Sequence, residues 1–195
     1  MYFFTSDLHF GDNDIIAREA RPFPDIQAFA EAFIQNVNAV AKPEDTLIVI
    51  GDYYNYNWGY KPDPLIALDV NRHLLPRVVL ILGNGEQRMV REMFDDDLEK
   101  FRAHCAEYGF ADILPDLFLN FGGREFYLNH YPRNHKDGYV NLFGHTHRGT
   151  GLWKPYGLNV GIDLNCFRPF SEKDILELVE TKEQWWDTDP DCLSM

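Results

Sequence analysis

The sequence predicts an α/β protein in which mixed β-sheets are flanked by helices. Three observations carry that prediction. Apolar runs of strand length alternate with helical patterns through the first half of the chain. The second half is rich in short strands and closes on one helix. Polar, chemistry-bearing residues gather just after the carboxyl ends of the strands, where open α/β sheets place their sites.

The elements follow in order. Tyr2 to Thr5 reads as a first strand ending at polar residues. Asp25 can cap a helix whose apolar residues Ile26, Phe29, Ala30, Phe33, Ile34, Val37 and Val40 recur at helical spacing. The stripe Phe29, Phe33, Ile34 and Val37 is core material. Leu47 to Ile50 is a buried strand ending at Gly51. Asp63-Pro64 then places a capping residue before a proline at the first helical position, opening a helix to Leu75. Val78 to Leu82 is another buried strand, ending at Gly83.

Met89 to about Tyr108 reads as helix, with a break near Asp95-Asp96-Asp97 and Gly109 closing it. Ile113 to Phe121 and Glu125 to Asn129 flank Gly122-Gly123 as a hairpin. Short runs at Tyr139 to Phe143, Leu152-Trp153 and Leu158 to Ile162 follow. Ser171 caps a last helix reaching about Thr181.

The length of 195 residues suits one domain, here residues 1–183, with residues 184–195 as an acidic tail. Lys plus Arg number 18 against 31 Asp plus Glu, giving a formal charge of −13. Gripping long nucleic acids takes clustered Lys and Arg, so this balance argues against them. It leaves room for a metal-assisted phosphate site, because bound cations reverse the local field. Cys105, Cys166 and Cys192 show neither zinc-ligand spacing nor a disulfide framework, which favours a reducing compartment. No apolar run approaches the roughly 20 residues that span a bilayer, and the expected location is cytoplasmic, with no membrane partner.

Five segments supply metal-ligand residue types, and four follow a predicted strand directly. They are Asp7-Leu8-His9, Gly51-Asp52, Gly83-Asn84, His130 and Gly144-His145-Thr146-His147. Carboxylate, amide oxygen and imidazole together suit divalent Mn, Fe, Zn, Co or Ni, and no cysteine is in the set. Each piece has a bland reading alone. Asp7 or Asp52 can cap a turn, and His130 can be a hydrogen-bonded core histidine. Five pieces in order, beside strand ends, point to a common centre.

In that order the segments resemble the signature D-x-H, G-D, G-N-H-(D/E), H and G-H-x-H of the calcineurin-like metallophosphoesterases. The resemblance covers residue 2 to about 180, with local matches at Leu128-Asn129-His130-Tyr131-Pro132 and at Asn159-Val160-Gly161-Ile162-Asp163 before Arg168-Pro169. The latter is similar to the closing strand and turn of small bacterial and phage-type members. The resemblance implies a four-layer αββα sandwich holding two divalent ions, Mn²⁺ foremost, about 3.5–4 Å apart. It implies that Asp7, His9, Asp52 and His147 hold one ion. Asp52 would bridge to a second, completed by Asn84, His130 and His145. A hydroxide between the ions would then attack a phosphoester in line.

One position departs from that signature. The segment Gly83-Asn84-Gly85-Glu86 has glycine where the family has the histidine credited with protonating the leaving group. Losing a general acid costs about 10²–10⁴-fold in rate, most for leaving groups of high pKa. Family members altered at this position often keep phosphodiesterase activity and lose phosphomonoesterase activity. The expectation is therefore a phosphodiesterase, in which Gly85→His would raise phosphomonoester hydrolysis.

Asn84, His145 and Arg148 are expected nearest the reacting phosphate. Arg88, His135 and Tyr54 are expected to contact substrate, within a rim that also holds Arg91, Arg133 and Lys136. The aromatic run Tyr53, Tyr54, Tyr56, Trp58 and Tyr60 after Asp52 suits stacking on a base or aryl group, worth roughly 1–3 kcal/mol per base. The same rings can instead pack the loop onto the body or form a homodimer contact. Three function classes stand: a phosphodiesterase acting on a small nucleotide-like diester, a phosphomonoesterase, and a non-catalytic binding module. The complete ligand set argues against the third.

Overall fold

The computed structural model describes residues 1–54, 69–149, 152–153 and 157–188. Two five-stranded sheets face one another. The first contains β1 (Tyr2–Thr5), β2 (Thr46–Ile50), β3 (Arg77–Ile81), β4 (Phe110–Leu114) and β10 (Phe170–Ser171), in the order β10-β1-β2-β3-β4. Its first four strands are parallel, and β10 closes the edge antiparallel to β1. The second contains β5 (Leu117–Phe121), β6 (Arg124–Leu128), β7 (Val140–Phe143), β8 (Leu152–Trp153) and β9 (Gly157–Asn159), in the order β5-β6-β7-β9-β8. Here β6, β7 and β9 run parallel, and β5 and β8 are the antiparallel edges.

Strand periodicity divides the core in two. Phe3, Leu47, Val49, Val78 and Leu80 face one side and join a cluster with the helices. Phe4, Ile48, Ile50 and Ile81 face the other and meet Phe126, Leu128, Leu142 and Leu158 of the second sheet, with Val160 just past β9. Helix α1 (Asp14–Arg18) and helix α2 (Ile26–Asn38) contribute to the first cluster through Ile15, Ile16, Phe29, Phe33 and Val37. Asp25 caps α2 as expected, its carboxylate accepting the Ala28 N–H at 2.8 Å. The short α1 carried no sequence signal in that reading.

The helical stretch expected from Met89 to Tyr108 is two helices, parted at the expected break near Asp95-Asp96-Asp97. Helix α3 (Asn84–Met93) begins five residues earlier than expected, and α4 (Leu98–Ala106) starts after Asp97 accepts the N–H groups of Glu99 and Lys100. The early start follows from Glu86, whose carboxylate reaches back to the Gly83 N–H at 2.8 Å. The run from Ile113 to Phe121 also divides. Ile113 and Leu114 complete β4 in the first sheet, and β5 begins the second sheet after Pro115. Likewise β9 stops at Asn159, and Ile162 opens a 3₁₀ turn.

Ser171 caps the last helix, α5 (Glu172–Thr188), its hydroxyl accepting the Asp174 N–H; that helix runs seven residues past the expected end. It places Ile175 and Val179 in the inter-sheet core. The helix expected to open at Asp63-Pro64 and reach Leu75 is seen only from residue 69, where Val70–His73 form a 3₁₀ turn and Leu74 is already extended. Its residues 63–68 lie outside the described residues, as do Asn55, Tyr56, Asn57, Trp58 and Tyr60. Among the described residues, no helix is long and apolar enough to cross a membrane.

Parallel strands align their carboxyl ends at one edge of the molecule. The loops after β1, β2 and β3 from one sheet meet those after β6 and β7 from the other. A bridge between Ser6 and Gly161 ties the two sheets together at that edge.

Candidate metal centre

Backbone strain marks the centre before any side chain is considered. Asp7, His9, Asp52, His145 and His147 all have φ between 47° and 72°. Non-glycine residues avoid this left-handed region, and it persists only where the surroundings over-determine it. The surroundings do so here. The N–H groups of Asp7 and His9 donate to the carbonyls of Gly51 and Asp52 at 3.1 and 3.0 Å, lacing the first loop to the second.

All seven expected ligands come together. Asp7 is buried; its carboxylate accepts the Ser6 hydroxyl at 2.7 Å and the His145 N–H at 3.0 Å. Asp52 Oδ2 lies 3.6 Å from His9 Nε2 and 3.6 Å from His130 Nε2, between a histidine of the first loop and the histidine after β6. Its Oδ1 accepts the Gly85 N–H at 2.9 Å. Asn84 Oδ1 is 3.1 Å from both His130 Nε2 and His145 Nδ1. Two compact groups result, Asp7–His9–His147 and Asp7–Asp52–His130, each with ligand atoms within 4.8 Å of one another.

The protonation chemistry fits a cation. His130 Nδ1 stands 2.8 Å from the Ile50 carbonyl, which only accepts, so Nδ1 carries the proton and Nε2 offers its lone pair to the centre. Burial opposes charge on His130, but Asp52, Asp7 and the Ile50 carbonyl raise its pKa overall. His9 is buried with no hydrogen-bond partner on either ring nitrogen. Burial chiefly pushes its pKa down to about 3, against the pull of Asp7. A neutral imidazole buried without a partner is costly unless a ligand takes its lone pair. Its ring stacks on that of His147 at 4.8 Å. On these grounds the residues present fit divalent ions.

Close approaches explain the glycines of the motif. A Cβ on Gly51 would lie 2.4 Å from His130 Nδ1, and one on Gly144 would lie 2.4 Å from Ser6 Oγ. Gly85 overturns an expectation. A Cβ there would meet the Tyr54 carbonyl oxygen at 2.5 Å, so the position does not await a histidine. The Tyr54 backbone lies directly against it. The expected gain from Gly85→His is therefore withdrawn.

Tyr54 is likewise corrected. It is fully buried, its ring edge-on to Tyr53 and Phe101 at 6.0 and 6.4 Å, so it belongs to the core and offers no face to a substrate. The bridge between Phe10 and Tyr54 draws this segment inward. Arg148 is exposed and donates to the Ala20 carbonyl at 3.1 Å. His135 has its Nε2 3.8 Å from the Asp137 carboxylate. Arg88 is half-buried on α3, and its charge reaches Tyr131.

The structure gives roles to two residues that the motifs contained without assigning them one. Glu86 is fully buried and accepts the N–H groups of Gly83, Asp52 and Tyr53 at 2.8, 2.9 and 2.9 Å. Burial, and then the Asp52 charge, raise its pKa to about 7. Tyr131 forms a wall, its ring 5.0 Å from those of both His130 and His145, with the Arg133 guanidinium 5.3 Å above it. The sequence signals for Tyr131 were its place beside a ligand and within the Leu128–Pro132 match.

A family model for calcineurin-like phosphoesterases matches residues 2–191, and the chain belongs to that family. Among solved structures it is similar to a protein of unknown function from Aquifex aeolicus, with TM-score 0.62 and 23% identity over 91% of this chain and 98% of that one. That likeness shows a shared fold. An archaeal phosphodiesterase gives TM-score 0.44 and 14% identity over 82% and 81% of the two chains. A phosphoesterase from E. coli gives 0.44 and 18% over 82% and 77%. No curated protein matches the sequence.

Proposed function

We propose that this chain is a dinuclear metal-dependent phosphodiesterase acting on a small nucleotide-like diester. The observation that carries the reading is Asp52, whose Oδ2 stands 3.6 Å from a histidine of each ligand group. Asp7, His9, Asp52 and His147 would hold one ion, and Asp52, Asn84, His130 and His145 the other. Such ions, when bound, make hydroxide available near neutral pH and neutralise phosphoryl oxygens.

The chain's own residues favour a diester. The Gly85 N–H is engaged by Asp52, and no side chain fits at that position. The first turn of α3 therefore offers no proton donor there, and a leaving group must depart without one. Tyr131, carrying Arg133 and reached by Arg88, gives the exposed side a ring and positive charge for a small substrate. The acidic body offers no comparable track for a long polyanion, and Mn²⁺ suits the mixed oxygen and imidazole donors.

The test is parallel hydrolysis of aryl phosphodiester and aryl phosphomonoester by the Mn²⁺-loaded protein, followed by cyclic dinucleotides, cyclic mononucleotides and dinucleotides. The expected result is a diester kcat/KM at least about 10²-fold above the monoester, the scale of one general acid. The reverse order would establish a phosphomonoesterase. Hydrolysis of neither ester, with both ions bound, would establish a binding module.

A further inference from the structure

Behind the first ligand group lies an ion pair between Arg21, which no quoted motif includes, and Asp163, the last residue of the Asn159–Asp163 match. The side chains of Arg21 and Asp163 are both fully buried and meet in a two-point contact, Nε to Oδ1 at 2.8 Å and Nη2 to Oδ2 at 2.9 Å. The guanidinium then spends its remaining donors on the first loop. Nη2 also donates to the Asp7 carbonyl at 2.7 Å, and Nη1 to the Leu8 carbonyl at 2.9 Å. The Phe29 ring closes its face at 4.6 Å. Those two carbonyls sit between the left-handed residues Asp7 and His9, so the arginine braces backbone that would otherwise relax.

On its other side Asp163 faces a ligand. Its Oδ2 lies 3.9 Å from His147 Nδ1, and Glu19 lies 3.7 Å from the same nitrogen. The Nδ1 side of the ring faces two carboxylates at ion-pair rather than hydrogen-bond distance, the side from which carboxylates orient metal-bound histidines generally. One buried pair thus reaches both halves of the ligand group, across 142 residues of sequence.

We propose that Arg21 and Asp163 are positioning residues for the ion held by Asp7, His9 and His147, fixing the first loop through its carbonyls and His147 through its ring. The inference rests on the dinuclear reading above. A buried ion pair adds little to stability against its desolvation cost, which leaves the placement of ligands as what this one supplies.

The test is Mn²⁺ titration of the whole chain, read by electron paramagnetic resonance for stoichiometry, stepwise affinity and the spin-coupled signal of a paired centre. Arg21→Lys keeps the charge but loses the fork that serves three acceptors. Asp163→Asn keeps shape and volume. Each is expected to weaken one of two ions by about 10–100-fold, the usual cost of losing such a partner, and to diminish the coupled signal while the other ion is retained. In a His147→Ala background, Asp163→Asn is expected to add only the part of its loss that runs through Arg21 and the first loop.

Wild-type protein that binds fewer than two ions would overturn the dinuclear reading and this inference with it. Wild-type protein binding two, with both variants unchanged in affinity, would overturn the inference alone. Loss of native circular dichroism by Asp163→Asn in EDTA would show the pair to be a folding element and overturn it too.

Discussion

The carbonyl oxygen of Tyr54 occupies the space in which a side chain on Gly85 would begin, 2.5 Å from its Cβ position. Both partners are backbone, so neither swings aside. The loop that carries Asp52 and the helix that carries Asn84 meet there without a spacer. The absent donor is therefore a property of the fold as much as of one residue.

Gly85→Ala is accordingly expected to destabilise the protein by about 1–3 kcal/mol, the range for overpacking. Gly85→His should cost at least as much and should not raise phosphomonoester hydrolysis. Urea unfolding and parallel ester assays check both. A stable Gly85→His enzyme with new monoesterase activity would show that the loop yields.

Glu86 holds the same junction from below, taking three N–H groups at 2.8–2.9 Å. Glu86→Gln replaces one acceptor oxygen with a donor and orphans at least one buried N–H, at about 1–3 kcal/mol each. The expected outcome is a lower unfolding midpoint together with weaker Mn²⁺ binding, since Asp52 is displaced. Calorimetry and metal titration measure the two separately.

Metal linkage supplies a third prediction. Ions that bind only the folded chain stabilise it by about 2.7 kcal/mol at a hundredfold excess over Kd. Melting temperature should fall on EDTA treatment and recover on Mn²⁺ addition. In Asp52→Asn, which loses the carboxylate proposed to serve both ions, the shift should largely vanish.

At high pH the core should weaken. Burial pushes the Cys105 thiol up to about 12, and burial also drives Tyr53 and Tyr54 well above the usual phenol value. The unfolded chain ionises these groups near 9 and 10, where the native chain still holds the protons. Stability therefore falls as pH rises through about 9 and beyond. Tyr53→Phe should flatten this dependence, and at neutral pH it should leave stability level or raised, because the buried Tyr53 hydroxyl lacks a partner. Urea midpoints from pH 7 to 10.5 provide the measurement, and a steeper slope in the variant would refute it.

Much of the centre was legible in the chain because its chemistry is local. Asp7, His9, Asp52, Asn84, His130, His145 and His147 stand in short segments whose residue types announce ligation, each beside a recognisable strand. Periodicity in the same way exposed β1, β2, β3 and α2. Helix α1 escaped because it is only five residues long. The division of Ile113 to Phe121 between two sheets left no mark beyond Pro115, since strands of either sheet are equally apolar.

What the sequence by itself determined is which residues can bind a cation and that their segments follow strand ends, because ligand chemistry and strand patterning are properties of neighbouring residues. Only the tertiary structure decided how those segments are held. Arg21 and Asp163 lie 142 residues apart and acquire their role through two carbonyls and a ring that no spacing encodes. Tyr54 passed from expected substrate contact to core residue, and Gly85 from vacancy to close contact, because burial and backbone approach belong to the packed chain. Distances between remote segments are set by the sheets that carry them.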